Sequence, residues 1–192
     1  MSSTTADRLS ARERLLTAAE ELFYPEGVHT VGIDRVIERA GVAKATLYSV
    51  FGSKDELIRA YLLRHNQTWR QRLTREVTAR YDSPREQLLG VFDVLGERST
   101  ETGFHGCAFV NAAAESPAGG PLECVYDDAR AWVRELFAGL ARQAGAPDPD
   151  SLARQLALLY HGATLSARMD RDLAAAQTAR TAAATLLDAA IG

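Results

Sequence analysis

The stretch Ala40–Leu57, AGVAKATLYSVFGSKDEL, decides how the whole chain is read. Gly41 interrupts one short helical pattern, and a second runs from about Lys44 to Phe51, so two helices meet across a turn of about 3 to 4 residues. That is the layout of a helix-turn-helix. At about 100° per residue, Leu47, Val50 and Phe51 fall on one arc, while Lys44, Ala45, Thr46, Tyr48 and Ser49 occupy the rest of the circumference. The second helix is therefore expected to bury a narrow stripe. Its outer side offers a cation, hydroxyls, a phenol and a methyl, groups that suit phosphate oxygens, base edges and the thymine methyl of a major groove.

These residues carry a resemblance. Ala40-Gly41-Val42, Thr46-Leu47-Tyr48, Phe51 and Ser53-Lys54-Asp55-Glu56-Leu57, with Gly27, Val28, Gly32 and Ile33 upstream, resemble the N-terminal domain of TetR/AcrR (tetracycline-repressor-like) transcriptional regulators from about Arg12 to Ala60. The resemblance implies an all-α fold of about nine helices: an N-terminal three-helix DNA-binding domain, then a C-terminal helical domain for ligand binding and dimerisation. It implies a homodimer on a palindromic operator, most often a repressor, released by a small-molecule effector, with no enzymatic activity. Lys54 resembles the family's phosphate-contacting lysine. One departure is Ala43, where the family often has Ser; without that hydroxyl the recognition helix lacks a side-chain N-cap, a loss of about 1 kcal/mol.

Composition narrows the alternatives. The chain has 192 residues, of which 46% are hydrophobic, enough for one or two cores. No run approaches the roughly 18 apolar residues of a membrane span, and Met1–Arg8 has no apolar signal-peptide centre, so a cytoplasmic location is expected. The two cysteines, Cys107 and Cys124, lack CxxC spacing and read as small apolar fillers, with no metal and no cofactor expected. The formal net charge is -3, but residues 1–65 carry nine Lys plus Arg against nine Asp plus Glu, while residues 66–192 carry thirteen against sixteen. The acidity lies behind the reading head. The only lysines, Lys44 and Lys54, flank the recognition helix. With few cations per protomer, binding is expected to need two copies and to weaken steeply with salt.

Taken in order, residues 1–9 read as a disordered tail, 10–56 as the helix-turn-helix domain and 57–192 as the ligand-binding and dimerisation domain. Ser10 and Glu13 have capping-box spacing at the start of the first helix, where Arg8, Arg12 and Arg14 are candidates for phosphate contact. A second helix is expected from Thr30 to Arg39. Thr30 and the amides near Gly32 would meet phosphate at its N-terminus, and Arg35 would reach phosphate or a base edge. Ser53 caps a long fourth helix running to about Arg80, near 40 Å at the helical rise and able to bridge two domains.

The remaining pattern is helical throughout, with breaks at Asp82-Ser83-Pro84, Glu101–Gly103, Pro117–Pro121 and Gly145-Ala146-Pro147. In similar regulators the helices carrying Phe92, Phe104, Phe109, Asn111, Tyr126, Trp132, Tyr160 and His161 enclose the inducer cavity. Aromatics at helical spacing ordinarily pack as core, so Asn111, Tyr126, Tyr160 and His161 stand out, because buried polar groups require partners. The last two helices present Leu156, Leu159 and Ala163, then Ala179, Ala183 and Leu187. By themselves these mark an intramolecular bundle; the resemblance makes them the homodimer interface. A helical ligand-binding protein without operator recognition is the alternative from another class.

Overall fold

The computed structural model describes residues 9–117 and 119–191, so the expected tail to Arg8 lies outside the described residues. Nine α-helices and no strand occur among the described residues: α1 (Ala11–Glu26), α2 (Ile33–Ala40), α3 (Lys44–Phe51), α4 (Lys54–Arg80), α5 (Pro84–Thr100), α6 (Ala108–Glu115), α7 (Glu123–Gln143), α8 (Pro149–Met169) and α9 (Ala175–Ile191).

Local chemistry fixes several starts. Ser10 accepts from the Glu13 amide at 3.2 Å and Ser53 from the Glu56 amide at 3.1 Å. Ser83 and Glu86 form a reciprocal capping box ahead of α5, and Asp148 accepts from the Ser151 amide ahead of α8, where Pro149 occupies the first turn. The second helix begins at Ile33 rather than Thr30. Val28 and Val31 are both buried in the segment before it, which holds the chain in a turn until Gly32 enters α2 with extended backbone.

The turn between α2 and α3 closes as a Schellman motif. Gly41 adopts φ 63°, its N–H donates to the Glu38 carbonyl and the Val42 N–H to the Ile37 carbonyl, both at 3.1 Å. A residue with a Cβ is strained at that φ. Arg14 of α1 reaches across to donate to the Gly41 carbonyl at 3.3 Å, and Arg12 lies 5.5 Å from the Phe51 ring centroid. Arg14 thus braces the turn and Arg12 the end of α3. On α3, Leu47 is fully buried, Thr46 and Phe51 are half-buried, and Val50 is 37% exposed. The expectation that Val50 points inward is corrected: the buried arc centres between Leu47 and Phe51, which leaves Val50 on its margin.

Two cores form. The first joins Leu15, Leu16, Phe23, Val36 and Leu47 to Leu57, Ile58, Tyr61 and Leu62 of α4, and also takes Ala108, Ala112, Val125 and Tyr126 from α6 and α7. The second gathers Leu73 and Val77 at the far end of α4 with residues of α5, α7, α8 and α9. The two cores therefore share α4 along its length, rather than dividing between residues 56 and 57. Its 27 residues span about 40 Å.

Ala43 precedes α3 with extended backbone (φ -74°, ψ 152°) and no side-chain cap, the conformation an N-cap serine requires. Ala43→Ser should raise the urea unfolding free energy by about 1 kcal/mol, with the slope of the transition unchanged.

Candidate nucleic-acid interface and the cavity behind it

With Leu47 anchoring α3 from behind, Lys44, Ala45, Tyr48 and Ser49 are exposed and Thr46 is half-buried beside them. Neither α2 nor α3 has a side-chain N-cap, so their first amides remain available. Lys44 Nζ stands 3.0 Å from Asp34 Oδ1, which puts the starts of the two helices on one side of the head. Thr30 and Gly32 are exposed ahead of α2.

The cations of this side are paired with carboxylates. Arg35 makes a two-pronged pair with Glu26 at 2.6 and 3.0 Å, and Arg39 donates to Glu21 at 2.6 Å. The hydrogen bond from Lys44 to Asp34 raises the lysine above its ordinary value, and that from Arg35 lowers Glu26. All are exposed pairs, screened by solvent, so each contributes little to stability. Lys54 differs: half-buried at the start of α4, its ammonium lies 6.0 Å from the Phe23 ring centroid, and burial lowers its pKa. It leans on the platform rather than standing clear of it.

Behind the head, the end of α6 grips the loop between α1 and α2. Glu115 accepts from the amides of Val28 at 3.3 Å and His29 at 2.9 Å. A Cβ at Gly27 would come within 2.7 Å of the Glu115 carboxylate, so glycine is what permits the approach. Ser116 shares hydrogen bonds with the His29 ring at 3.2 Å and the Tyr126 hydroxyl at 3.1 Å. The contacts of Glu115 and Ser116 with Val28 and His29 join residues more than eighty positions apart in sequence, which no local pattern announces.

Tyr126 faces a cavity of about 580 Å³ lined from α1, α4, α5, α6, α7 and α8. The structure brings Phe104, Phe109, Asn111, Tyr126, Trp132, Tyr160 and His161 together around it. Phe92 is corrected: it is 1% exposed, stacked on Phe137 at 5.7 Å in the second core and away from the lining. Sequence reasoning missed Tyr24, Asn66, Trp69, Arg72 and Arg98 as lining residues. The available signal was a polar residue on each side of Trp69 at helical spacing, Asn66 and Arg72 on α4.

Much of the cavity's polarity is internally satisfied. The Tyr24 hydroxyl donates to the Gly106 carbonyl at 2.9 Å and accepts from the His105 amide at 3.1 Å, while burial raises its pKa. Glu101 accepts from Arg72 and from Arg98, each at 3.0 Å, and the Arg72 hydrogen bond holds its carboxyl below the ordinary value. Burial, followed by the fields of Arg134 and Arg130, lowers the His161 pKa. Cys107 also lines the cavity, its thiol pushed up by burial. Cys124 is exposed, which corrects its reading as a buried filler.

The proposed dimer residues need a correction as well. Leu156, Ala163, Ala179, Ala183 and Leu187 are buried within the second core, and half-buried Leu159 packs against it. They form the seam among α5, α8 and α9 of one chain. The apolar side chains left outward on α8 are Leu158, Leu165 and Met169, with Leu173 following.

A short exposed helix held over a helix-turn-helix core, with a lined cavity behind it, defines a helical DNA-binding regulator. The sequence profile of bacterial regulatory proteins of the tetR family matches residues 15–61. A TetR-family transcriptional regulator from Streptomyces coelicolor is 33% identical, with a TM-score of 0.86 over 95% of this chain and 96% of that one. A tetR-type regulator from Streptomyces avermitilis is 35% identical, with a TM-score of 0.82 over 95% and 98%. The HTH-type transcriptional activator FasR of Mycolicibacterium smegmatis is 50% identical over 54 residues, 28% of this chain and 25% of the relative. The leading curated relatives are matched over less than two thirds of their own length. The chain belongs to the TetR family of DNA-binding transcriptional regulators, which are not enzymes. No described helix is long and apolar enough to cross a membrane.

Removing the Glu115 carboxylate leaves two loop amides without their acceptor. Glu115→Ala should lower the unfolding free energy by about 1 kcal/mol and speed amide exchange at Val28 and His29, read by NMR.

Proposed function

We propose that the protein is a cytoplasmic, ligand-responsive repressor that binds a palindromic operator as a homodimer and leaves it when a small molecule enters the cavity. The observation that carries the reading is the exposed set Lys44, Ala45, Tyr48 and Ser49 around buried Leu47. Tyr48, Ser49 and half-buried Thr46 read base edges; Lys44, Thr30 and the Gly32 end of α2 hold phosphate. Arg35 joins the phosphate contacts by exchanging Glu26 for the backbone. Functionally, residues 10–56 serve as the reading domain and 57–192 as the sensing and dimerising domain, with α4 entering both.

Dimerisation uses the outward face of α8, where Leu158, Gly162, Leu165 and Met169 follow one another at helical spacing, together with the exposed small residues of α9. Two-fold symmetry then sets two α3 helices toward successive turns of the major groove. A ligand contacting Tyr126 on α7 and Asn66 and Trp69 on α4 acts on the residue that holds Ser116 and on the middle of the long helix. It favours a head spacing that does not fit DNA, and a coupling of a few kcal/mol is enough to release an operator.

Gel shifts on DNA flanking its own gene test the reading. Tyr48→Ala should cost about 1–3 kcal/mol and relax base preference, whereas Lys44→Ala should weaken all sequences alike and lower the salt slope by about 1. Wild-type protein with no sequence preference at low salt would overturn operator recognition. The interface is tested separately by sedimentation. Leu158→Glu with Leu165→Glu should yield folded monomer, whereas Leu156→Ala should keep the dimer while losing about 2–5 kcal/mol of stability.

A further inference from the structure

The most buried groups of the cavity lining keep hydrogen-bond donors to spare. The interior charges already have partners: Arg72 holds Glu76 and Glu101, Arg98 holds Glu101, and Glu20 faces Arg64 and His65. Arg130 and Arg168 stand at the exposed rim, where water screens them. Two groups deep in the lining keep unused donors. The Tyr160 hydroxyl, on a residue 6% exposed, accepts from Trp69 Nε1 at 2.9 Å, and among the described residues no protein acceptor takes its own proton. Asn66, 8% exposed, accepts from Arg70 Nε through Oδ1 at 3.1 Å, and its amide NH₂ has no protein acceptor among the described residues.

Asn66 and Trp69 sit one turn apart on α4, so the amide and the Trp69-bound hydroxyl flank the same wall. A hydroxyl that accepts one hydrogen bond becomes a stronger donor of the next. Around these donors stand flat walls: Tyr24, Trp69, Phe104, Phe109, Tyr126 and Trp132.

We propose that the cavity takes an uncharged, flat aromatic molecule bearing a hydrogen-bond-accepting oxygen, a ketone or ester carbonyl, which receives the Tyr160 hydroxyl proton and the Asn66 amide. This rests on the reading of the cavity as the effector site and names the chemical class of its ligand. An organic anion would have to displace Glu101 from Arg72 or Arg98. A hydrocarbon of the same shape would leave two buried donors without an acceptor once water is expelled, which binding penalises.

Both tryptophans of the chain, Trp69 and Trp132, line the cavity, so their fluorescence reports occupancy directly. The full-length protein is titrated with four molecules of nearly one shape: 2-acetylnaphthalene, 2-ethylnaphthalene, 2-naphthoate and 2-naphthylmethylammonium. The expected result is saturable quenching by the ketone, with a Kd about tenfold or more below those of the other three. Tyr160→Phe, checked for helix content by circular dichroism, should weaken the ketone about tenfold and cause no loss of affinity for 2-ethylnaphthalene, narrowing the gap between the two. Tighter binding of 2-naphthoate or of the ammonium, or equal binding of ketone and hydrocarbon by wild type, would overturn the neutral-acceptor assignment while the cavity remains a ligand site. Silence from all four molecules would overturn the effector-site reading itself.

Discussion

One helix is committed to two cores, and the rest of the molecule follows from that constraint. The first turns of α4 bury Leu57, Ile58, Tyr61 and Leu62 against the reading head, and its last turns bury Leu73 and Val77 among α5, α7, α8 and α9. Between them, Asn66 and Trp69 face the cavity. A continuous helix has few soft degrees of freedom, so a displacement at its middle is carried to both ends. The link does not stand alone, because α6 closes a second path from the cavity wall through Ser116 and Glu115 to the loop before α2.

Charge is distributed to match. The head keeps Arg35, Arg39 and Lys44 on the surface, each lightly held by a carboxylate that water already screens, which suits the proposed exchange for phosphate. In the cavity Arg72 and Arg98 are more sheltered than the arginines of the head and share one half-exposed acceptor, Glu101, so displacing it frees two cations at once.

Legibility in the sequence followed the range of the interactions. The bounds of α3, the Gly41 turn, the caps at Ser10 and Ser53, the break at Asp82-Ser83-Pro84 and the length of α4 all rest on contacts within a few residues, and they could be read. The inward and outward stripes of α8 could not be told apart, because leucine and alanine populate both: Leu156 and Ala163 face the core, Leu158 and Leu165 face out. Phe92 was misplaced for a related reason, since a phenylalanine at helical spacing looks the same against Phe137 as against a cavity. The grip of Glu115 on Val28 and His29 depends on folding that brings distant segments together. Lys54 carried the right charge for a phosphate contact, but its half-buried position over Phe23 is a tertiary outcome.

The most direct test of the account is amide hydrogen exchange along α4 in the full-length protein. If one stiff helix links the head to the cavity, the amides from Ile58 to Val77 should exchange slowly and as a single cooperative unit, with the stretch around Asn66 and Trp69 as protected as the two buried ends. Fast, independent exchange in that middle stretch, flanked by slow ends, would show two separately moving halves and contradict the lever.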